Sequence, residues 1–158
     1  MFRSPEGYVY EGQWEDDLAH GQGSNLGIDG SSYEGQWQKN KRHGNGLYQS
    51  FFVSKEGQWE DDLPHGQVII RHADGSSYEG QCQKGKRHGH GICRFGNGSV
   101  YEGQWQMDRQ CGHGVFTFAN GTGHEGQWEG DIPHGAGVHW TADGSRHEGQ
   151  WERGKKQP

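Results

Sequence analysis

The chain has 158 residues, 30 of them glycine, and a formal net charge of −6. Leu, Ile, Val and Phe together number 21, about 13% and below the roughly 20% at which disorder becomes the default reading, so a two-layer globule with a thick aliphatic core is excluded. Nineteen aromatic residues, seven of them Trp, and the modest charge argue equally against a disordered chain. No apolar run approaches the ~18 residues of a membrane-spanning helix, and the N-terminus lacks the apolar stretch of a secretory signal. An intracellular, cytoplasmic protein is therefore expected, with Cys82, Cys93 and Cys111 as reduced thiols.

In chain order, residues 1–9 read as half a repeat that closes on Glu6-Gly7-Tyr8-Val9. Six whole repeats follow (10–32, 33–54, 55–77, 78–100, 101–123 and 124–146), then a partial one over 147–158, so that 1–158 is a single array. Each repeat opens on Glu-Gly-Gln, at Glu11, Glu34, Glu56, Glu79, Glu102, Glu125 and Glu148. The slot before it holds Tyr10, Tyr33, Lys55, Tyr78, Tyr101, His124 or His147, and the slot after it Trp14, Trp37, Trp59, Cys82, Trp105, Trp128 or Trp151. Six residues on come His20, His43, His65, His88, Cys111 and His134, each followed by Gly. Asp-Gly or Asn-Gly closes most repeats.

Tyr-Glu-Gly-Gln-Trp has the period of a strand, placing the ring, the Gly and the Trp on one face and Glu and Gln on the other. A loop of about six residues, a returning strand from His-Gly-x-Gly, and a tight Asp-Gly turn complete a hairpin. Helix is disfavoured, since a Gly every few residues costs roughly 1 kcal/mol each in a helix interior. Stability is expected from rings covering bare glycine backbone, at ~0.2–1 kcal/mol per cross-strand pair, summed over stacked repeats.

The recurring Tyr-Glu-Gly-Gln-Trp, His-Gly-x-Gly and Asp-Gly at 22–23-residue spacing resembles the MORN (membrane occupation and recognition nexus) repeat over essentially the whole chain. The resemblance implies an all-β fold: a single-layer antiparallel meander of tandem ~23-residue β-hairpins forming an elongated curved half-pipe. It also implies a non-catalytic binding or scaffolding role, in a setting similar to ciliary radial-spoke heads or the cytoskeleton.

Seven Glu in register do not read as an acid–base site. A catalytic constellation is unique, and same-slot carboxylates would stand ~10 Å apart, beyond the ~5–9.5 Å of working pairs. His88, His90, Cys93, Cys111 and His113 cluster in sequence but alternate between faces, which does not suit a metal. No phosphate loop, dinucleotide fingerprint or nucleophile elbow is present, and no cofactor is expected. The segments after the Trp slot (EDDLA, QKNKR, EDDLP, QKGKR, QMDRQ, EGDIP, ERGKK) alternate in sign, which favours a self-compensating edge over the contiguous basic stripe that nucleic acid requires.

The favoured reading is a protein-interaction scaffold whose aromatic groove, formed by Tyr10, Trp14, Tyr33, Trp37, Trp59, Tyr78, Tyr101, Trp105 and Trp128, receives an extended or helical partner segment. Departures from the repeat add to it. Phe51 and Phe52 replace the Asp-Gly turn and, being adjacent, are expected on opposite faces; with Val68, Ile69 and Ile70 they make the most apolar stretch, read as a repacked hairpin or as a partner patch. Cys82 in a Trp slot is expected to leave a pocket or a bend. The open strand edges invite pairing with a second copy. A second reading binds anionic lipid through Lys39, Lys41, Arg42, Lys84, Lys86 and Arg87, and a third makes the array the regulatory half of an enzyme.

Overall fold

The alternating pattern becomes strand everywhere the repeat places it. A computed structural model describes all of residues 1–158 and contains fifteen strands and no helix. They are β1 (Phe2–Arg3), β2 (Val9–Glu15), β3 (Leu18–Leu26), β4 (Ser32–Gln38), β5 (Lys41–Gln49), β6 (Val53–Glu60), β7 (Leu63–His72) and β8 (Ser77–Gln83). Then come β9 (Lys86–Arg94), β10 (Val100–Gln106), β11 (Arg109–Thr117), β12 (Gly123–Glu129), β13 (Ile132–Trp140), β14 (Arg146–Glu152) and β15 (Lys155–Lys156). Strand neighbours follow sequence order without a crossover, giving an antiparallel meander. The chain divides into two compact units, 1–73 with 82–85 and 74–81 with 86–158.

The hairpin turns differ from the sequence expectation. The charged segment is not a six-residue loop: Asp16-Asp17, Lys39-Asn40 and Asp61-Asp62 in the first unit, and Met107-Asp108 in the second, are two-residue turns with both φ positive. This is the type I′ geometry, whose twist matches that of the flanking strands. The returning strand therefore starts immediately after the turn, with Glu15 paired to Leu18 and Gln38 to Lys41.

The Asp-Gly element, expected as the tight turn, sits instead inside a longer connection. Between β3 and β4, Gly30 N–H donates to Gly27 O (3.1 Å) and Gly27 N–H to Ser31 O (2.7 Å). Gly30 takes φ +79°, a left-handed value that glycine adopts without penalty. Asp29 Oδ1 then accepts from Ser31 N–H (3.0 Å) and Oγ–H (2.6 Å). Those bonds hold the Asp29 carboxyl below its ordinary range; the matching Asp143, bonded to Thr141 and Ser145, is drawn down to about 2.

The His-Gly pair is a bulge. Gly12 pairs with Gly23 and Trp14 with Ala19, so Gln13 alone faces His20, Gly21 and Gln22. Gly21 has φ +65°. The bulge frees the Gln22 N–H, and Gln13 Oε1 accepts it at 2.7 Å. Gln36, Gln58, Gln81 and Gln104 repeat this bond to Asn45, Gln67, His90 and His113. In these five repeats the Gln thus satisfies a backbone donor that the bulge removes from the ladder.

Candidate functional site

Three surfaces of the hairpins carry side-chain chemistry: the ring face, the turn edges, and the face bearing Glu and Gln.

On the ring face the slots interlock. In the first unit Tyr10 meets Trp14 (4.9 Å between centroids) and Trp37 (5.2 Å), and Tyr33 meets Trp37 (5.3 Å) and Trp59 (5.4 Å), all edge to face. In the second unit the run is Tyr78–Trp105 (5.8 Å), Trp105–Tyr101 (5.0 Å), Tyr101–Trp128 (5.5 Å), Trp128–His124 (5.5 Å) and His124–Trp151 (4.7 Å). Each Tyr lies on the glycines of its own hairpin. A Cβ added to Gly114 would stand 2.5 Å from Tyr101 Cζ and 2.7 Å from Cε2. The hydroxyl then donates to the carbonyl three residues on, as Tyr101 does to Gln104 (3.1 Å). Four indole N–H groups reach back one hairpin: Trp37 to Gly23 O, Trp59 to Gly46 O, Trp105 to Gly91 O and Trp128 to Gly114 O, at 3.0–3.1 Å. Burial pushes the Tyr33 hydroxyl up to about 12.

The third repeat keeps this packing with a different pair. Lys55 occupies the Tyr slot and Val68 the slot of the second Gly, opposite Gly57. Val68 is 4% exposed: its own side chain fills the space that a ring covers elsewhere. Cys82 is likewise buried, so its slot is filled and not an open pocket. The first ring run stops at Trp59 because the next slots carry Lys55 and Cys82.

Of the residues expected to meet a partner, Trp14 (44%), Phe51 (87%) and Phe52 (72%) are exposed. Tyr10, Tyr33, Trp37, Trp59, Tyr78, Tyr101, Trp105 and Trp128 are buried among one another. Phe51 and Phe52 do not fall on opposite faces. They form the tip of the β5–β6 turn, where Ser50 Oγ accepts the N–H groups of Phe52 and Val53, and their rings meet edge to face at 5.1 Å. Adjacent residues alternate between faces only within a strand, and these two lie outside one.

The turn edge carries a clasp that the sequence reading missed. The second turn residue bonds to the residue two positions past the preceding turn. Asn40 N–H donates to Ala19 O (3.0 Å), and Asn40 Oδ1 accepts from Ala19 N–H (2.7 Å). Asp62 does the same with Arg42, Asp108 with Arg87 and Asp131 with Gln110. Where the receiving residue is Pro64 or Pro133, which has no N–H, the turn residue is Gly85 or Gly154, which has no acceptor. That covariation at 20–21 residues was the available signal. The alternating charges also meet: Lys41–Asp61 (3.3 Å), Arg42–Asp62 (3.2 Å) and Arg87–Asp108 (3.2 Å). Three of the six cations considered for lipid binding are thereby paired within the chain.

On the Glu/Gln face, bare backbone between side-chain rows leaves shallow hollows. One of ≈ 710 Å³ in the second unit is lined by His113, Glu125, Gln127, Val138, Glu148 and Gln150 together with glycines. One of ≈ 560 Å³ in the first unit is lined by Glu34, Gln36, Asn45, Leu47 and Glu56 among others. No group of three or more His, Cys, Asp or Glu is placed to hold a metal ion.

A family model described as MORN repeat matches residues 10–31, 33–50, 56–77, 78–100, 101–123, 124–146 and 147–157. Comparison with curated proteins finds no match. Among solved structures the chain is distantly similar to the SAS-4 (dCPAP) TCP domain of Drosophila melanogaster, solved in complex with a proline-rich motif of Ana2 (dSTIL). That similarity has 11% identity, covers 84% of this chain and 85% of that one, and has a TM-score of 0.37.

Proposed function

The chain belongs to the MORN-repeat family, and from that premise we propose that it is a non-catalytic scaffold for protein–protein interaction. The observation that carries this reading is the Phe51-Phe52 tip. Two large apolar side chains stand in solvent at a position where most other repeats place Asp-Gly or Asn-Gly, so the fold does not require them. Exposed aromatic pairs bury large area at small entropic cost when a partner covers them.

Trp14, Phe51 and Phe52 are the contact residues of this reading. The buried rings, Tyr10 to Trp59 in the first unit and Tyr78 to Trp128 in the second, are assigned to holding the hairpins together. The working place proposed with it is the cytoplasm, in a cytoskeletal or ciliary assembly. The test is affinity capture with the intact chain, its Phe51→Ser/Phe52→Ser variant and a Trp37→Ala control, each accompanied by a thermal melt. The reading expects the double serine variant to lose specific partners while melting as the parent does. A variant that retains every partner, or whose loss of partners tracks its loss of stability, ends it.

A further inference from the structure

On the face turned away from the rings, the register of the second unit builds a file across the strands. Glu102 pairs with Ile92 on one side and Val115 on the other, Glu125 with Val115 and Val138, and Glu148 with Val138. The file therefore reads Ile92, Glu102, Val115, Glu125, Val138, Glu148, with a carboxylate on every second strand. Strands stand ~4.8 Å apart, so successive carboxylates are about 9.6 Å apart with an aliphatic side chain between them.

The ≈ 710 Å³ hollow lies along the Glu125–Glu148 end of this file, and no Lys or Arg lines it. His113 Nε2 approaches Glu125 at 3.9 Å, both groups about half exposed, and Glu148 has no partner in the chain. The cations of the neighbouring row are Arg94, past Glu102, and Arg146, whose guanidinium lies over the Trp140 ring at 6.0 Å. Arg146 stands two residues before Glu148 on the same face of β14, about 6.6 Å along the strand, but its guanidinium is turned onto Trp140 and makes no ion pair with Glu148.

We propose that this hollow binds a cationic peptide segment in the polyproline-II conformation, with Lys or Arg at positions i and i+3 set over Glu125 and Glu148 and small apolar residues between them against Val138. The spacing selects that conformation. A polyproline-II chain rises ~3.1 Å per residue with three residues per turn, so i and i+3 share a face about 9.3 Å apart. A β-strand repeats a face at about 6.6 Å, and a helix at about 6 Å (i and i+4) or about 10.5 Å (i and i+7), so the polyproline-II repeat lies nearest the roughly 9.6 Å step. This deepens the scaffold reading, on which it rests, by naming the chemistry of one partner on a face distant in kind from the Phe51-Phe52 tip.

The experiment titrates the full chain with a fluorescent (Arg-Pro-Pro)₄ peptide, against a peptide of equal composition with its four arginines contiguous and against (Glu-Pro-Pro)₄. Binding should favour the spaced arginine peptide and weaken with salt. Glu125→Gln/Glu148→Gln should cut its affinity by about 2- to 30-fold, from ~0.2–1 kcal/mol per exposed ion pair, without changing the circular dichroism or the melt. No binding, equal binding of the contiguous peptide, or binding indifferent to the double variant overturns the proposal. The spaced-versus-contiguous comparison decides it even if the variant folds poorly. Loss of this inference with partner capture through Phe51-Phe52 intact leaves the scaffold reading standing.

Discussion

The Tyr-on-Gly contact can be tested by transplanting the third repeat's solution into the fifth. Gly114→Val places a Cβ 2.5–2.7 Å from Tyr101 ring carbons, where ordinary contact begins near 3.4 Å. The ring has nowhere to go: Tyr101 is 0% exposed, wedged between Trp105 and Trp128, and tied through its hydroxyl to Gln104 O. Overpacking costs ~1–3 kcal/mol and the lost hydrogen bond ~0.5–1.5, so the single variant should lose about 2–4 kcal/mol. Tyr101→Lys alone removes a buried ring and should lose about 3–5 kcal/mol. The pair Tyr101→Lys/Gly114→Val reproduces Lys55 and Val68, in which the valine fills the ring's place. Its loss should fall short of the sum of the singles by about 1–3 kcal/mol, the range for residues in contact. Urea denaturation followed by tryptophan fluorescence measures all three variants. A double variant whose loss equals the sum within about 0.5 kcal/mol refutes the claim that ring and glycine share one volume.

His124 occupies a Tyr slot, with Nε2 buried and unbonded. Burial, and next the neighbouring His139, hold its pKa below the ordinary value. The folded state therefore binds the proton less readily than the unfolded one, so the contribution is complete above about pH 6.5 and is lost as pH falls through the depressed folded value. His124→Tyr should remove that loss between pH 7.5 and 5.5 in thermal melts, and gain about 1 kcal/mol as its hydroxyl reaches Gln127 O; an unchanged pH dependence would count against it. Asp108→Ala, which removes the acceptor of Arg87 N–H and Nε–H, should cost about 1 kcal/mol after allowance for exposure and speed amide exchange at Arg87. Gly85→Asn should leave stability nearly unchanged beside Pro64, yet add about 0.5–1 kcal/mol in a Pro64→Ala background, where an N–H becomes available. Equal effects of Gly85→Asn in both backgrounds, read from urea midpoints, would discard the clasp.

Much of the architecture was written in the residues one repeat apart. Period-2 alternation of Tyr, Gly and Trp was enough for strands and for a ring face, because facing in a strand follows from sequence parity alone. The family followed from the same spacing. The turns did not, since Asp-Gly and Asp-Asp both supply left-handed residues, and only the register shows that the charged pair closes the two-residue hairpin while Asp29-Gly30 sits in the longer one. The candidate contact residues separate in the same way. Trp14 and Trp105 hold the same slot, yet one is nearly half exposed and the other sealed, because burial depends on which hairpin lies alongside. Parity placed Phe51 and Phe52 on opposite faces, and the Ser50 turn put both in solvent. Local pattern determined each hairpin and the face its rings take. Contacts between hairpins decided which rings are sealed, why Pro64 travels with Gly85 and that the glutamates form a file, while the bulge inside each hairpin explains the strand glutamine. The Pro64–Gly85 clasp depends on a pairing across 21 residues, and the glutamine bond and the glutamate file on strand register, so distance in space and not order in the chain sets the energy.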